Sequence, residues 1–456
     1  MKLNHYNRFW RMHFYAALFI TPLLITLTLS GIGYLFYTDV ENALYDDLFF
    51  GHSDKGEVQT LDEGISEVNH TFEGYKVSRV IMLEEPYNKR LTLTNDDGDE
   101  KYVFLDDNNQ IVGDQKAAFT YSNVLRNLHS SLFIGGTFVN YLVELAACWA
   151  IFLLLSGVYL TFKGNALQLK NNPNKRQKNK RNHAFIGLIL TVPMMIIIFT
   201  GLPWSALMGS QITKLGETYP DLGNTEMRYH PPTSDVNEIP WATRSQQEPL
   251  SQNHEDHEGH AGHHESGAGS LADIPNQLSV GKINDRATEE GISKPYSIIY
   301  PTDEQGVFTV SKGSNTGITG LDVSPDEETT NYFDQYTGNF LGKVDYQDYG
   351  IIGKWFTWGI PLHEGHLFGW PNKIINLIVC LGFLTLILLG FKTWLNRKKK
   401  GVLSAPIKVS KQLSVGFISL MVILGIIMPL FGISLVLVLV GELFLKLVDK
   451  WKKRSA

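Results

Sequence analysis

Apolar residues run almost unbroken in four stretches of the chain, at 14–37, 138–162, 184–208 and 372–395. Each is long enough to cross a hydrocarbon core, which takes roughly 20 residues of helix. A fifth apolar stretch, 412–448, is too long for one crossing, and Met428, Pro429 and Gly432 interrupt it near its middle. It reads as a tight hairpin of two short spans, which makes six spans in all. Between the spans the period changes. Within 57–115, Leu61, Ile65 and Val68 recur at helical spacing. Three alternating stretches follow, Lys76-Val77-Ser78-Arg79-Val80-Ile81, Arg90-Leu91-Thr92-Leu93-Thr94 and Lys101-Tyr102-Val103-Phe104-Leu105, with the turn-forming run Asn95-Asp96-Asp97-Gly98 between the last two. A helix followed by an antiparallel meander is predicted. A weaker copy lies at 271–345, with a helix at 276–290, strands at 296–300, 307–310 and 331–334, and a turn at Tyr336-Thr337-Gly338. One α+β unit per polar segment suggests an internal duplication of the kind transporters show.

Charge orients these elements. Lys2, Arg8 and Arg11 precede the first span, and Lys175, Arg176, Lys178, Lys180 and Arg181 separate the second from the third. Arg397, Lys398, Lys399 and Lys400 follow the fourth span, and Lys450, Lys452, Lys453 and Arg454 follow the hairpin. Short basic connections stay in the cytoplasm, so both termini are expected there, in a multi-pass protein of the cytoplasmic (inner) membrane. The segments at 38–136 and 209–370, rich in Asp and Glu, are then exported. The predicted organisation starts with the N-terminus and first span (1–37), an exported α+β domain (38–136) and the second span (137–162). A basic loop (163–182), the third span (183–208) and an exported segment (209–370) holding a His-rich loop (254–264) and the second α+β unit (271–345) come next. The fourth span (371–395), a basic loop (396–411), the hairpin (412–448) and a cytoplasmic tail (449–456) complete it. The fold class is a membrane α-helical bundle of about six helices with two small extracytoplasmic α+β domains.

Composition changes this picture little. A net charge of -6 and a mean hydropathy of -0.07 average greasy and polar stretches and conceal the spans. No small-x-small cleavage site follows Gly33-Tyr34-Leu35-Phe36-Tyr37, so the first span reads as an uncleaved anchor. The 2 cysteines, Cys148 and Cys380, fall inside spans, which excludes a disulfide framework outside the membrane. Neither α+β unit shows a nucleophile–base arrangement, a phosphate loop or a basic face for nucleic acid.

The chemistry-bearing residues are histidines at the ends of spans. His13 and His183 sit at equal depth at the basic mouths of the first and third spans. His129 precedes the second span in a short amphipathic helix, and His363 precedes the fourth. Histidine pairs that join neighbouring helices are how a bundle holds haem iron, so two pairs at opposite faces point to two haems. Arg8, Arg11 and Arg181 stand near the inner pair and Arg126 one turn before His129, where haem propionates need partners. His366 is a reserve ligand or proton donor, sharing a face with His363 if that stretch is helical across Gly365. Glu144, inside the second span, suits a proton path, a hydrogen bond to a ligand histidine or a cation site, or else reaches back to water. Gly31, Gly33, Gly157, Gly187, Gly201 and Gly382 serve close helix packing and leave room for a flat macrocycle. The tract holding His254, His257, His260, His263 and His264 has loop composition and suits weak Zn or Cu chelation.

Several short motifs, taken in order, resemble the PepSY-associated transmembrane family, which includes iron-regulated membrane proteins and siderophore-reductase-like members. They are Arg11-Met12-His13; Asn127-Leu128-His129 ahead of Val143-Glu144-Leu145 and Leu155-Ser156-Gly157-Val158-Tyr159-Leu160; His183 with Gly201-Leu202-Pro203-Trp204-Ser205; and Leu362-His363-Glu364-Gly365 with Gly369. The resemblance covers about residues 1–395 and leaves out the hairpin. It implies a reductase of ferric chelates such as siderophores that depends on b-type haem, with PepSY-like domains outside and haem ligands at His13, His129, His183 and His363. A quinol or a separate reductase protein is the expected electron donor, since no Gly-x-Gly-x-x-Gly fingerprint marks a cytoplasmic segment. Two other classes compete: a non-redox PepSY module that regulates an exported peptidase, and a metal-import accessory using the His-rich tract and Glu144. The oligomeric state, a homo-oligomer included, is open at this stage.

Overall fold

The computed structural model describes residues 2–54, 56–168, 172–219, 222, 274, 276–303, 306–314, 323–397, 403, 405–406 and 415–452. In chain order its elements are α1 (Lys2–Tyr34), α2 (Tyr37–Leu44), α3 (Asp46–Phe49), α4 (Leu61–Thr71), β1 (Tyr75–Met82), β2 (Lys89–Asn95), β3 (Glu100–Leu105) and β4 (Ile111–Lys116). Helices α5 (Tyr121–Ser131), α6 (Thr137–Lys163), α7 (Lys175–Gly201), α8 (Ala206–Thr218) and α9 (Val280–Glu289) follow. Strands β5 (Tyr296–Ile299), β6 (Val307–Lys312), β7 (Thr329–Asp334) and β8 (Phe340–Asp345) lead to α10 (Ile351–Glu364), α11 (Trp370–Leu395), α12 (Val415–Ile427) and α13 (Pro429–Lys452). The chain divides into two compact units. One comprises Met1–Gly33, Arg126–Ile212 and Lys373–Ala456; the other comprises Tyr34–Leu125 and Thr213–Asn372.

The first unit is helical. Among the described residues four of its helices are long and apolar enough to cross a membrane: α1, α6, α7 extended to Trp204, and α11. Their shared interior is built from Ile20 and Leu24 of α1, Ala146, Ala150 and Leu154 of α6, Leu190 and Met194 of α7, and Val379, Phe383 and Leu386 of α11. The hairpin expected from hydropathy is the helix pair α12 and α13. Helix α12 has 13 residues, about 20 Å at 1.5 Å per residue, against a hydrocarbon core of about 30 Å. Helix α13 has 24 residues, Pro429–Lys452. The pair turns at Met428–Pro429, where Gly425 and Gly432 let the backbones touch: a Cβ on Gly425 lies 3.2 Å from the Gly432 Cα. Leu424, Met428 and Phe431 then pack on Phe9, Cys148 and Phe152, and the Trp149 indole N–H donates to Ser434 Oγ at 3.1 Å.

The second unit centres on one antiparallel sheet with strand order β4-β3-β2-β1-β5-β6-β7-β8. Each half repeats helix then four strands, as α4-β1-β2-β3-β4 and α9-β5-β6-β7-β8. Where the sequence suggests two separate domains, the halves share a sheet through β1 and β5, with Val80 opposite Ile298 and Ile81 opposite Ser297. The physical reason lies in β1, whose Val80, Ile81, Met82 and following Leu83 are all buried; a strand apolar on both faces needs a neighbour on each side. One core joins the halves, with Val68, Leu91, Val103, Ile283, Ile298, Phe308 and Phe333 together. Helix α4 starts on a capping box between Thr60 and Glu63. Its Asp62 accepts from the Gly281 N–H of α9 at 2.8 Å, a contact that leaves no room for a Cβ at 281.

Candidate functional site

Helices α1, α6, α7 and α11 enclose a cavity of about 640 Å³ in the first unit, lined by both His13 and His183. The two imidazoles lie edge to face with centroids 6.4 Å apart. Each is held at Nδ1. His13 Nδ1 is 2.8 Å from Ser156 Oγ, and the Ser156 hydroxyl is 3.2 Å from the Leu153 carbonyl one turn back. A serine has one proton to give. With that proton on the carbonyl, Ser156 accepts from His13 Nδ1–H. His183 Nδ1 lies 2.9 Å from the Leu386 carbonyl, which only accepts. Both rings are thereby set in the tautomer whose free lone pair is on Nε2, the form that binds a metal.

The same device recurs at the other end of α1. His129 of α5 places Nδ1 2.9 Å from Ser30 Oγ, and the Ser30 hydroxyl is within 2.9 Å of the Thr26 carbonyl. A glycine faces each ring. A Cβ on Gly157 meets His13 Cε1 at 3.5 Å, one on Gly31 meets His129 Cε1 at 3.7 Å, and one on Gly390 meets His183 Cε1 at 3.2 Å. Ser30-Gly31 and Ser156-Gly157 are therefore the same dipeptide used twice, and about 26 Å of helix separates His13 from Ser30 along α1 at 1.5 Å per residue. The repeated Ser-Gly pair inside a span is a sequence signal that was available and went unused, because the glycines alone look like packing residues.

The residues expected to surround the histidines fall into different places. Arg11 does not line the cavity; its guanidinium donates to the Pro406 carbonyl at 2.6 Å and lies over the Tyr15 ring. Arg176, Lys180 and Arg397 line it instead. Arg126 shares α5 with His129. Glu144 is 1% exposed and accepts from the backbone N–H groups of Leu207 at 2.7 Å and Met208 at 3.2 Å. It caps α8, where a carboxylate meets the positive end of the helix dipole. His363 and His366 belong to the second unit. His363 lies in the last turn of α10, which ends in Gly365 at φ 88°, a left-handed cap, so His366 leaves the helix and the two do not share a helical face. His366 Nε2 is 3.2 Å from the Ser314 carbonyl and Nδ1 is 3.8 Å from Glu364. The tract from His254 to His264 lies outside the described residues. Among the described residues no group of three or more His, Cys, Asp or Glu is placed to hold a metal ion.

Comparison with known proteins gives one family. The model of the PepSY-associated TM region matches residues 10–397, and no curated protein matches the chain. The chain belongs to the PepSY-associated TM region family.

Proposed function

From that membership and the histidine seats, we propose that the protein is a b-type haem electron carrier of the cytoplasmic membrane that reduces ferric chelates of the siderophore class on its extracytoplasmic side. In this reading the termini are cytoplasmic, and the two halves of the sheet unit are PepSY-like domains. The observation that carries the reading is the contact of Nδ1 of His13, His129 and His183 with Ser156, Ser30 and the Leu386 carbonyl, with a glycine against each ring. His13 and His183 would hold one haem b, and His129 would hold a second at the opposite end of α1. When bound, haem iron supplies one-electron exchange between its ferric and ferrous states.

The chain's own residues set the terms of that exchange. Ser156 and the Leu386 carbonyl hold the inner rings against rotation and raise the electron density on Nε2. Leu153, Leu154, Leu386 and Ile387 line the cavity and keep water from its walls. Two histidines holding one haem would leave its iron no position for substrate, which favours electron transfer to a bulky chelate without its entering the bundle. One electron converts Fe(III) in the chelate to Fe(II), which hard oxygen ligands hold less tightly. A lipid quinol or a separate reductase supplies the electron from the cytoplasmic half.

The test is a dithionite-reduced minus air-oxidised spectrum of the purified full chain, with haem counted per chain, followed by addition of a ferric hydroxamate to the reduced protein. Sharp b-type bands that are reoxidised by the chelate are expected. Protein without haem after expression with adequate haem supply removes the proposal.

A further inference from the structure

The cytoplasmic end of the cavity carries charge that the histidine seats do not use. Arg176 and Lys180 stand one turn apart on α7, and Arg397 follows α11; all three line the cavity that holds His13 and His183. Among the described residues none of the three is ion-paired with a carboxylate. The Arg397 guanidinium lies over the Trp10 and Phe14 rings at 5.0 and 5.2 Å, and its buried Nε has no hydrogen-bond partner. Burial and the neighbouring charge of Arg176 both hold Arg397 below its ordinary pKa. Retention of basic loops in the cytoplasm accounts for cations on this side of the membrane. It does not account for three of them turned to one cavity and repelling each other there.

Resting on the haem reading above, we propose that Arg176, Lys180 and Arg397 form an anion subsite that takes the carboxylates of an amphiphilic ligand whose apolar body fills the cavity. Guanidinium and ammonium groups bind carboxylate oxygens by charge-assisted hydrogen bonds. A carboxylate here also relieves the repulsion between Arg176 and Arg397. The apolar walls match the body of a tetrapyrrole, and the cations at one end fix which way its two propionates point. The subsite replaces the Arg8, Arg11 and Arg181 set suggested by sequence. The same chemistry would also hold an anionic lipid headgroup.

The experiment titrates full-length apo-protein with haem and with haem dimethyl ester, which has the same ring without the charges. The wild-type chain is expected to bind haem at least about tenfold more tightly than the ester, as charge-assisted contacts would give. The triple variant R176Q/K180Q/R397Q loses that preference, and R176K/K180R/R397K keeps it, which separates charge from folding. Equal binding of haem and ester by the wild-type chain overturns the subsite while leaving the haem reading in place. If neither porphyrin binds, the haem reading fails, and bound phosphatidylglycerol per chain is counted by native mass spectrometry. Phosphatidylglycerol lost only in the Gln variant assigns the subsite to a lipid headgroup, and no difference overturns it.

Discussion

In the sheet unit Val103, Ile298, Phe308 and Phe333 are wholly enclosed, and the two halves close on each other through β1 and β5. In the helical unit the positions facing His13, His129 and His183 are glycines, and about 640 Å³ stays open among four helices. A densely packed interior gains dispersion and hydrophobic energy from every methyl group. A bundle that places glycine against a histidine gives up that energy at the same point where it fixes the ring's tautomer. The difference separates a unit packed for stability from one that keeps a cavity beside two of its histidines.

The largest expected effect breaks the helical side of this contrast. His183→Ala removes one of two facing imidazoles, and about half of the haem per chain, or its low-spin signature, should be lost, since each haem needs its own histidines. His129→Ala should remove the other half, and the double variant should be colourless. Full low-spin haem in H183A would overturn the pairing.

A graded series sharpens the contrast. Leucine at Gly390, Gly157 and Gly31 should displace His183, His13 and His129 in falling order, because the spaces there are 3.2, 3.5 and 3.7 Å to the nearest ring atom. Haem content per chain and the low-spin spectrum read the order directly; a reversed order would show that the glycines serve helix packing alone.

The last prediction concerns the sheet. Phe308→Ala should cost about 3–5 kcal/mol of sheet stability, as expected for emptying a closed core, and leave haem content unchanged. Limited proteolysis at rising urea measures the first and the Soret band the second. Loss of haem in this variant would mean that the sheet controls the bundle's site.

Strand content was legible where alternation was strong: the stretches carrying Val77, Leu91 and Val103 are β1 to β3. The strands without a sequence signal are β4 and β8, both outer edges. Ile111-Val112-Gly113-Asp114-Gln115-Lys116 has one apolar pair and charges that suit a solvent-facing edge, where Asp114 bridges Lys101 at 3.0 Å. Of the site, the histidines were legible by depth alone. Their acceptors were not, since the Leu386 carbonyl has no side-chain signature and Ser156 comes beneath His13 only when α6 packs against α1.

The sequence by itself determined four membrane-spanning stretches, an α+β repeat and the family, because bilayer thickness and strand pleat impose periods that any folded context must respect. Tertiary structure decided the rest. It made two repeats one sheet, since a strand apolar on both faces finds its second neighbour only in space. It set Glu144 of the second span as the cap of α8. It also exchanged Arg11 for Arg397 at the cavity. Which way a long side chain reaches depends on the groups that three-dimensional packing puts beside it, and no spacing along the chain encodes that.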